Sequence, residues 1–213
     1  IDLDKDGFPF MTWKEGLVGG VPARVFRISF TGELSYEVNV QADYAMGVLE
    51  KIVEAGKKYK LTPYGTETMH VLRAEKGFII VGQDTDGSVT PDDLNMGWCV
   101  GRTKPFSWIG WRGMNREDCV REERKQLVGL KPIDPKVWLP EGAQLVFDPK
   151  QTIPMKMVGH VTSSYAHNSL GYSFAMAVVK GGLKRIGERV FSPQADGSVI
   201  EAEIVSSVFF DPK

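Results

Sequence analysis

Cysteine is scarce in this chain: its 213 residues include two, Cys99 and Cys119. A chain of that length needs no covalent staples, and the two cysteines form no Cys-x-x-Cys pair. A disulfide scaffold, a cysteine-held metal and a thiol redox motif are therefore disfavoured, and reduced thiols in a cytoplasmic protein are expected. Charge of one sign is also lacking. Lys and Arg number 26 against 27 Asp and Glu, for a net charge of −1, so there is no electrostatic footprint for nucleic acid or an anionic membrane. No apolar run approaches the ~18–20 residues of a membrane span, and no signal peptide is visible. Nucleic-acid and membrane partners are accordingly not expected. Fixed-period repeats and low-complexity segments are absent as well.

The length allows two cores of ordinary size, at ~100–150 residues per domain. The chain begins at Ile1 rather than methionine, and Val205 to Phe210 still reads as strand; a piece of something larger is expected. In the first region, Arg24 to Phe30 is β-branched and aromatic, and Tyr36 to Val40 alternates apolar and polar with period two. Asp43 is placed to cap a helix carrying Ala45, Val48, Leu49, Ile52 and Val53, which ends near Gly56 or Tyr59. Thr66 is placed to cap a second helix with Met69, Leu72 and Arg73, closed by Gly77 in a left-handed conformation. Phe78–Val81 and Gly97–Val100 read as short strands, which gives a small α+β layer.

At Arg121-Glu122-Glu123-Arg124-Lys125-Gln126 six charged or polar residues follow one another, and the domain boundary is placed there, with parts 1–122 and 123–213. Beyond it, helical periodicity fades. Leu127 to Leu130, Gln144 to Phe147, Met157 to Thr162, Phe174 to Val179, Arg189 to Phe191 and Ile200 to Val205 are strand-like runs separated by turn residues, the pattern of an antiparallel barrel or sandwich.

Between the first two strand-like runs lies Phe30-Thr31-Gly32-Glu33-Leu34-Ser35-Tyr36-Glu37, a turn that aims a carboxylate. Period two puts Tyr36, Val38 and Val40 on one face and Glu37 with Asn39 on the other. Such a glutamate is either the solvent side of a sheet or an acceptor for a ligand, and Tyr36 is either core or a stacking surface. Two acidic stretches are weaker signals. Asp2-Leu3-Asp4-Lys5-Asp6-Gly7 opens like a calcium loop, but Trp13 stands where the bidentate glutamate belongs and Pro9 interrupts it. Asp84-Thr85-Asp86-Gly87 reads as a solvated connection. Thr162-Ser163-Ser164 reads either as an anion nest or as turn chemistry.

Several ordered blocks resemble the aminomethyltransferase family, whose type member is the T-protein of the glycine cleavage system. They are Arg27 to Glu37, Gly65 to Phe78, Gly97 to Val100, Phe106 to Gly110, Gly159 to Ser164, and Leu170-Gly171 running into Phe174 to Ala177. Within the family the chain is most similar to the carboxyl-terminal, folate-binding part of heterotetrameric sarcosine oxidase α subunits. The resemblance implies a ferredoxin-like α/β folate-binding layer followed by a C-terminal antiparallel β-barrel. The segment bearing the family's catalytic aspartate would lie outside this chain.

The resemblance further implies that Glu37 bonds the pterin of tetrahydrofolate, with Phe30, Tyr36, Met69 and His70 near it. A pterin presents an amino group beside a ring N–H, and one carboxylate accepts both. The T-protein has an arginine where this chain has Met69, which cannot pair with a carboxylate of folate; Thr68-Met69-His70 matches the oxidase branch. His70 is either a surface residue or a base.

The implied reaction is transfer of the methylene of oxidised sarcosine to tetrahydrofolate, giving 5,10-methylenetetrahydrofolate and glycine. FAD, FMN and NAD would sit elsewhere in the parent oxidoreductase, and this piece alone would be inactive. The partners implied are the missing N-terminal part of the subunit and the other oxidase subunits. Two alternatives stay open: a glycine cleavage aminomethyltransferase, and a non-catalytic assembly or regulatory module on the same fold.

Overall fold

Two consecutive glycines make the first hairpin. In the computed structural model, which describes residues 1–166 and 168–211, Gly19 has φ 59° and Gly20 φ 85°. Side chains avoid that conformation, and it matches the twist of flanking strands in a two-residue turn. The turn joins β1 (Thr12–Val18) to β2 (Val21–Arg27), with Val18 opposite Val21. Sequence reading missed β1, although a Gly-Gly pair between alternating runs is a hairpin signal.

The described chain divides into two compact units, Ile1–Arg73 and Ala74–Asp211. In the first, β3 (Glu37–Val40) pairs with β2, giving the antiparallel order β1-β2-β3. β2 stops at Arg27 rather than Phe30 because the N-terminal segment folds onto its end. Met11 N–H donates to the Arg27 carbonyl at 2.9 Å, and the Arg27 guanidinium donates to the carbonyls of Lys5 and Phe8. The acidic start of the chain is spent on its own backbone: Asp2 and Asp4 accept the N–H groups of Asp4 and Asp6, as Asx turns do.

Two helices follow, α1 (Ala45–Gly56) and α2 (Thr66–Glu75). Asp43 does not cap α1. It lies inside a preceding 3-10 turn, Ala42–Tyr44, with no side-chain capping bond. Thr66 is the first helical residue, and the carbonyl of Gly65 before it accepts the Met69 N–H. Gly77 does take the left-handed conformation, φ 78°, and a Cβ there would lie 2.6 Å from the Ser207 carbonyl oxygen.

Two expected strands are absent from the second unit. Beyond Phe78-Ile79, the carbonyl of Ile80 accepts the N–H groups of Gln83 and Asp84 while its own N–H donates to the Asp84 carboxylate at 2.9 Å, so the segment closes into a turn. Gly97–Cys99 is a 3-10 turn, entered through Asn95 at φ 60°. Two single-turn helices, α3 (Trp111–Met114) and α4 (Glu117–Val120), lead into the barrel.

All six strand-like runs beyond the charged stretch become strands: β4 (Lys125–Pro132), β5 (Gln144–Leu145), β6 (Gly159–Tyr165), β7 (Phe174–Lys180), β8 (Arg189–Pro193) and β9 (Val199–Val205). They form an antiparallel sheet in the order β5-β6-β7-β4-β9-β8. Val146, just past β5, exchanges two backbone hydrogen bonds with Phe191 of β8, at 2.8 and 2.9 Å. That bridge joins the sheet's two edges into a nearly closed barrel, which is how such folds remove unpaired edges. Val128, Leu130, Leu145, Val161, Ala175, Ala177, Val179, Val190, Ala202 and Ile204 fill it.

The outer face of the barrel is covered too, and polar groups account for much of the cover. A bulge at Val161/Ser163 breaks the alternation of β6, so two successive hydroxyls reach one carboxylate. Thr162 and Ser163 both donate to Asp84, at 2.5 and 2.7 Å. Asp84 is thus buried rather than solvated, and those two hydroxyls of the Thr-Ser-Ser run serve packing. The charged stretch is likewise only partly a surface: Arg124 is buried with Asp93, its Nη2 donating at 2.7 Å.

Candidate functional site

Strand register fixes what surrounds Glu37. Phe26 stands opposite Glu37, and Trp13 of β1 stands opposite Phe26, so the three share one row and one face of the sheet. The next row on that face is Glu15, Arg24 and Asn39. Val25 opposite Val38 and Ala23 opposite Val40 occupy the other face, as the period-two reading required. The Trp13 and Phe26 rings lie 6.4 Å apart, and the Arg24 guanidinium sits 4.7 Å above Trp13 while bonding Glu15 at 2.7 Å. Sequence reading did not find this aromatic and ionic surround, because it depends on β1.

The face is open. Glu15, Leu17, Pro22, Arg24, Asn39 and Gln41 line a depression of about 570 Å³ on the same small sheet. The Glu37 carboxylate is exposed and, among the described residues, makes no side-chain hydrogen bond or ion pair. It is therefore available as an acceptor of two parallel N–H donors from a flat heterocycle, beside aromatic surface.

The other expected residues fall into two groups. Tyr36 precedes β3, half-buried; its hydroxyl donates to the Leu3 carbonyl at 3.2 Å and its ring lies 5.9 Å from Phe8. Phe30 is exposed in the irregular connection before β3. Met69 and His70 are half-buried neighbours on α2, and the His70 Nδ1 lies 3.8 Å from Glu67. Among the described residues no hydrogen bond or ion pair links Glu37 to His70.

An α/β unit followed by a nearly closed antiparallel barrel defines the class of fold. The GCVT N-terminal domain family matches residues 1–104, and the glycine cleavage T-protein C-terminal barrel domain family matches residues 125–211. The chain belongs to the glycine cleavage T-protein, or aminomethyltransferase, family. The sarcosine oxidase α subunit of Corynebacterium sp. strain P-1 is 46% identical over 218 residues, covering 100% of this chain and 22% of that protein. An aminomethyltransferase of Bacillus subtilis is 28% identical, covering 95% of this chain and 53% of its own. The crystal structure of glycine cleavage system aminomethyltransferase T from Bartonella henselae has the same fold, with TM-score 0.77 at 23% identity over 97% of this chain and 54% of that one. The chain thus spans about a fifth of the length of the curated sarcosine oxidase subunits it matches.

Proposed function

We propose that this chain is the tetrahydrofolate-binding module of a sarcosine oxidase α subunit, residues 1–122 forming the folate-binding part and 123–213 the barrel. The observation that carries the reading is Glu37: a strand carboxylate inside the family's motif, left without a partner on an open sheet face. The 46% identity to a sarcosine oxidase subunit supports that branch over the aminomethyltransferases, at 28%.

The residues present fit the group. A carboxylate with both oxygens available accepts the amino and ring N–H donors of a pterin, and the neighbouring depression has room for a flat ring system. Glu37 would hold and orient the pterin, with Phe30 and Tyr36 beside it. Met69, uncharged, would leave recognition of the folate carboxylates to other groups, and His70 would supply an imidazole next to it. Bound tetrahydrofolate supplies the nitrogen nucleophiles that take the methylene of oxidised sarcosine, yielding 5,10-methylenetetrahydrofolate and glycine. The chain's own contribution is to bind and orient the folate that takes up the carbon.

The oxidation itself is assigned to FAD, FMN and NAD sites elsewhere in a cytoplasmic holoenzyme with further subunits. Among the described residues no helix is long and apolar enough to cross a membrane.

In the full-length protein containing this chain, 5-formyltetrahydrofolate is expected to bind, and Glu37→Gln to weaken it by about 1.5–3 kcal/mol, the range for a hydrogen bond to a charged group. Calorimetric titration checks this; equal affinity of variant and parent would remove the pterin role from Glu37. Turnover with a lipoyl-bound aminomethyl donor would instead favour the aminomethyltransferase reading.

A further inference from the structure

On the outer face of the barrel, away from any residue assigned above, lies a second cleft. Its floor is set by register. Lys125 opens β4 opposite Lys180 of β7, and Val178 of β7 stands opposite His160 of β6, so Lys125, Val178 and His160 face the same way from adjacent strands. Its walls are the turn Asp86 to Val89 and the segment Arg116 to Arg121 around α4, and together they enclose about 340 Å³.

The acidic groups of the cleft are already engaged. Asp118 accepts from Arg124 at 3.0 Å and from Arg121 at 3.1 Å. Asp86 accepts the Ser88 N–H at 2.7 Å and its hydroxyl at 2.5 Å. Asp93, behind the wall, is held by Arg124. The donors are not all engaged. Among the described residues the Lys125 ammonium, the Arg116 guanidinium and the His160 imidazole make no hydrogen bond or ion pair, yet all three line the cleft. Burial, and then Lys125, lower the pKa of His160, against the opposing pull of Asp86. At neutral pH His160 thus offers an N–H without adding charge. A small cavity with surplus donors, whose carboxylates are each already engaged by a donor, is complementary to an acceptor-rich anion.

We propose that this cleft is a binding site for a small oxyanion, a phosphate or the carboxylate of a short acid, held by Lys125 and Arg116 with the His160 imidazole as a third donor. The site is separate from the folate reading and does not depend on it.

The test is calorimetric and NMR titration of the full chain with inorganic phosphate and, separately, malonate at constant ionic strength. Saturable binding is expected, with an upward shift of the His160 pKa as the anion enters. Lys125→Gln and Arg116→Gln should each weaken it about ten- to a hundredfold, the range for losing one charge-assisted bond. Lys125→Arg should retain it, and Glu37→Gln should leave it unchanged. Tighter phosphate than malonate identifies a phosphate or phosphoryl group as the ligand; the reverse identifies a carboxylate. The proposal is overturned if neither probe saturates, or if binding survives unchanged in either glutamine variant that folds. Thermal unfolding of each variant reports whether it folds, and either variant alone is sufficient.

Discussion

The barrel sheet and the small three-stranded sheet with its helix α1 differ in how much apolar surface they seal. In the barrel, Leu130, Leu145, Val179 and Ile204 are sealed, and the closing bridge at Val146 and Phe191 leaves the sheet almost no edge. In the sheet–helix unit, Ala23, Val25 and Val48 are buried, while Trp13, Leu17, Met46, Leu49 and Val53 stand exposed. Two ion pairs mark the extremes, although exposed pairs such as Arg102–Asp92 also occur in the barrel unit. Arg124–Asp93 in the barrel unit is 8% and 3% exposed, whereas Arg24–Glu15 on the small sheet is 52% and 62% exposed. One unit is built for stability and the other holds an open, decorated face. An open face is what the role proposed for Glu37 needs, and it forgoes burial energy that the barrel gains.

The largest expected effect tests the ion pairs. Arg124→Ala leaves Asp93 buried and without its guanidinium, although Thr90 still donates to it, and should destabilise the protein by about 3–5 kcal/mol in urea unfolding. Arg24→Ala removes a solvated pair and should cost about 0.2–1 kcal/mol. Equal losses would mean that the two units do not differ as described.

Leucine truncation sharpens the same contrast. Leu130 is fully buried in the barrel and Leu130→Ala should cost about 2–5 kcal/mol. Leu49 is 53% exposed on α1, and Leu49→Ala should change stability by no more than about 0.5 kcal/mol. A large loss at Leu49, read by the same unfolding curve, would show that its face is covered in solution.

The contrast also explains what could be read from the sequence. Barrel strands are short, alternating and separated by turn residues, so local pattern located all six. The carboxylate face of Glu37 followed from period two for the same reason. What escaped was decided by a specific partner rather than by the composition of the run itself. Thr12–Val18 carries Gly16 and mixed polarity and becomes a strand by docking on Val21–Arg27. Phe78–Ile80 has the composition of a strand, but Asp84 folds back onto the Ile80 N–H. Arg124 sits in a charged run that reads as surface, and its burial is decided by Asp93, 31 residues earlier. Only the partner of Arg124 is distant; Val21–Arg27 and Asp84 are near in sequence, but each acts through a specific pairing that propensity does not register.

The smallest effect is a pH response confined to the barrel unit. Burial and Lys125 lower the folded-state pKa of His160 below its ordinary 6.5, while Asp86 partly opposes them. As pH falls through 6.5 the unfolded chain takes up a proton that the folded chain still refuses, so stability declines on acidification and is flat above. In phosphate-free buffer the urea midpoint should therefore fall between pH 7.5 and pH 5.5 by more in the parent than in Lys125→Gln. That variant removes one of the two lowering causes and moves the His160 pKa back up. Proton NMR titration of the imidazole follows the same shift directly. A parent His160 that titrates at or above 6.5 would mean that Asp86 outweighs burial and Lys125.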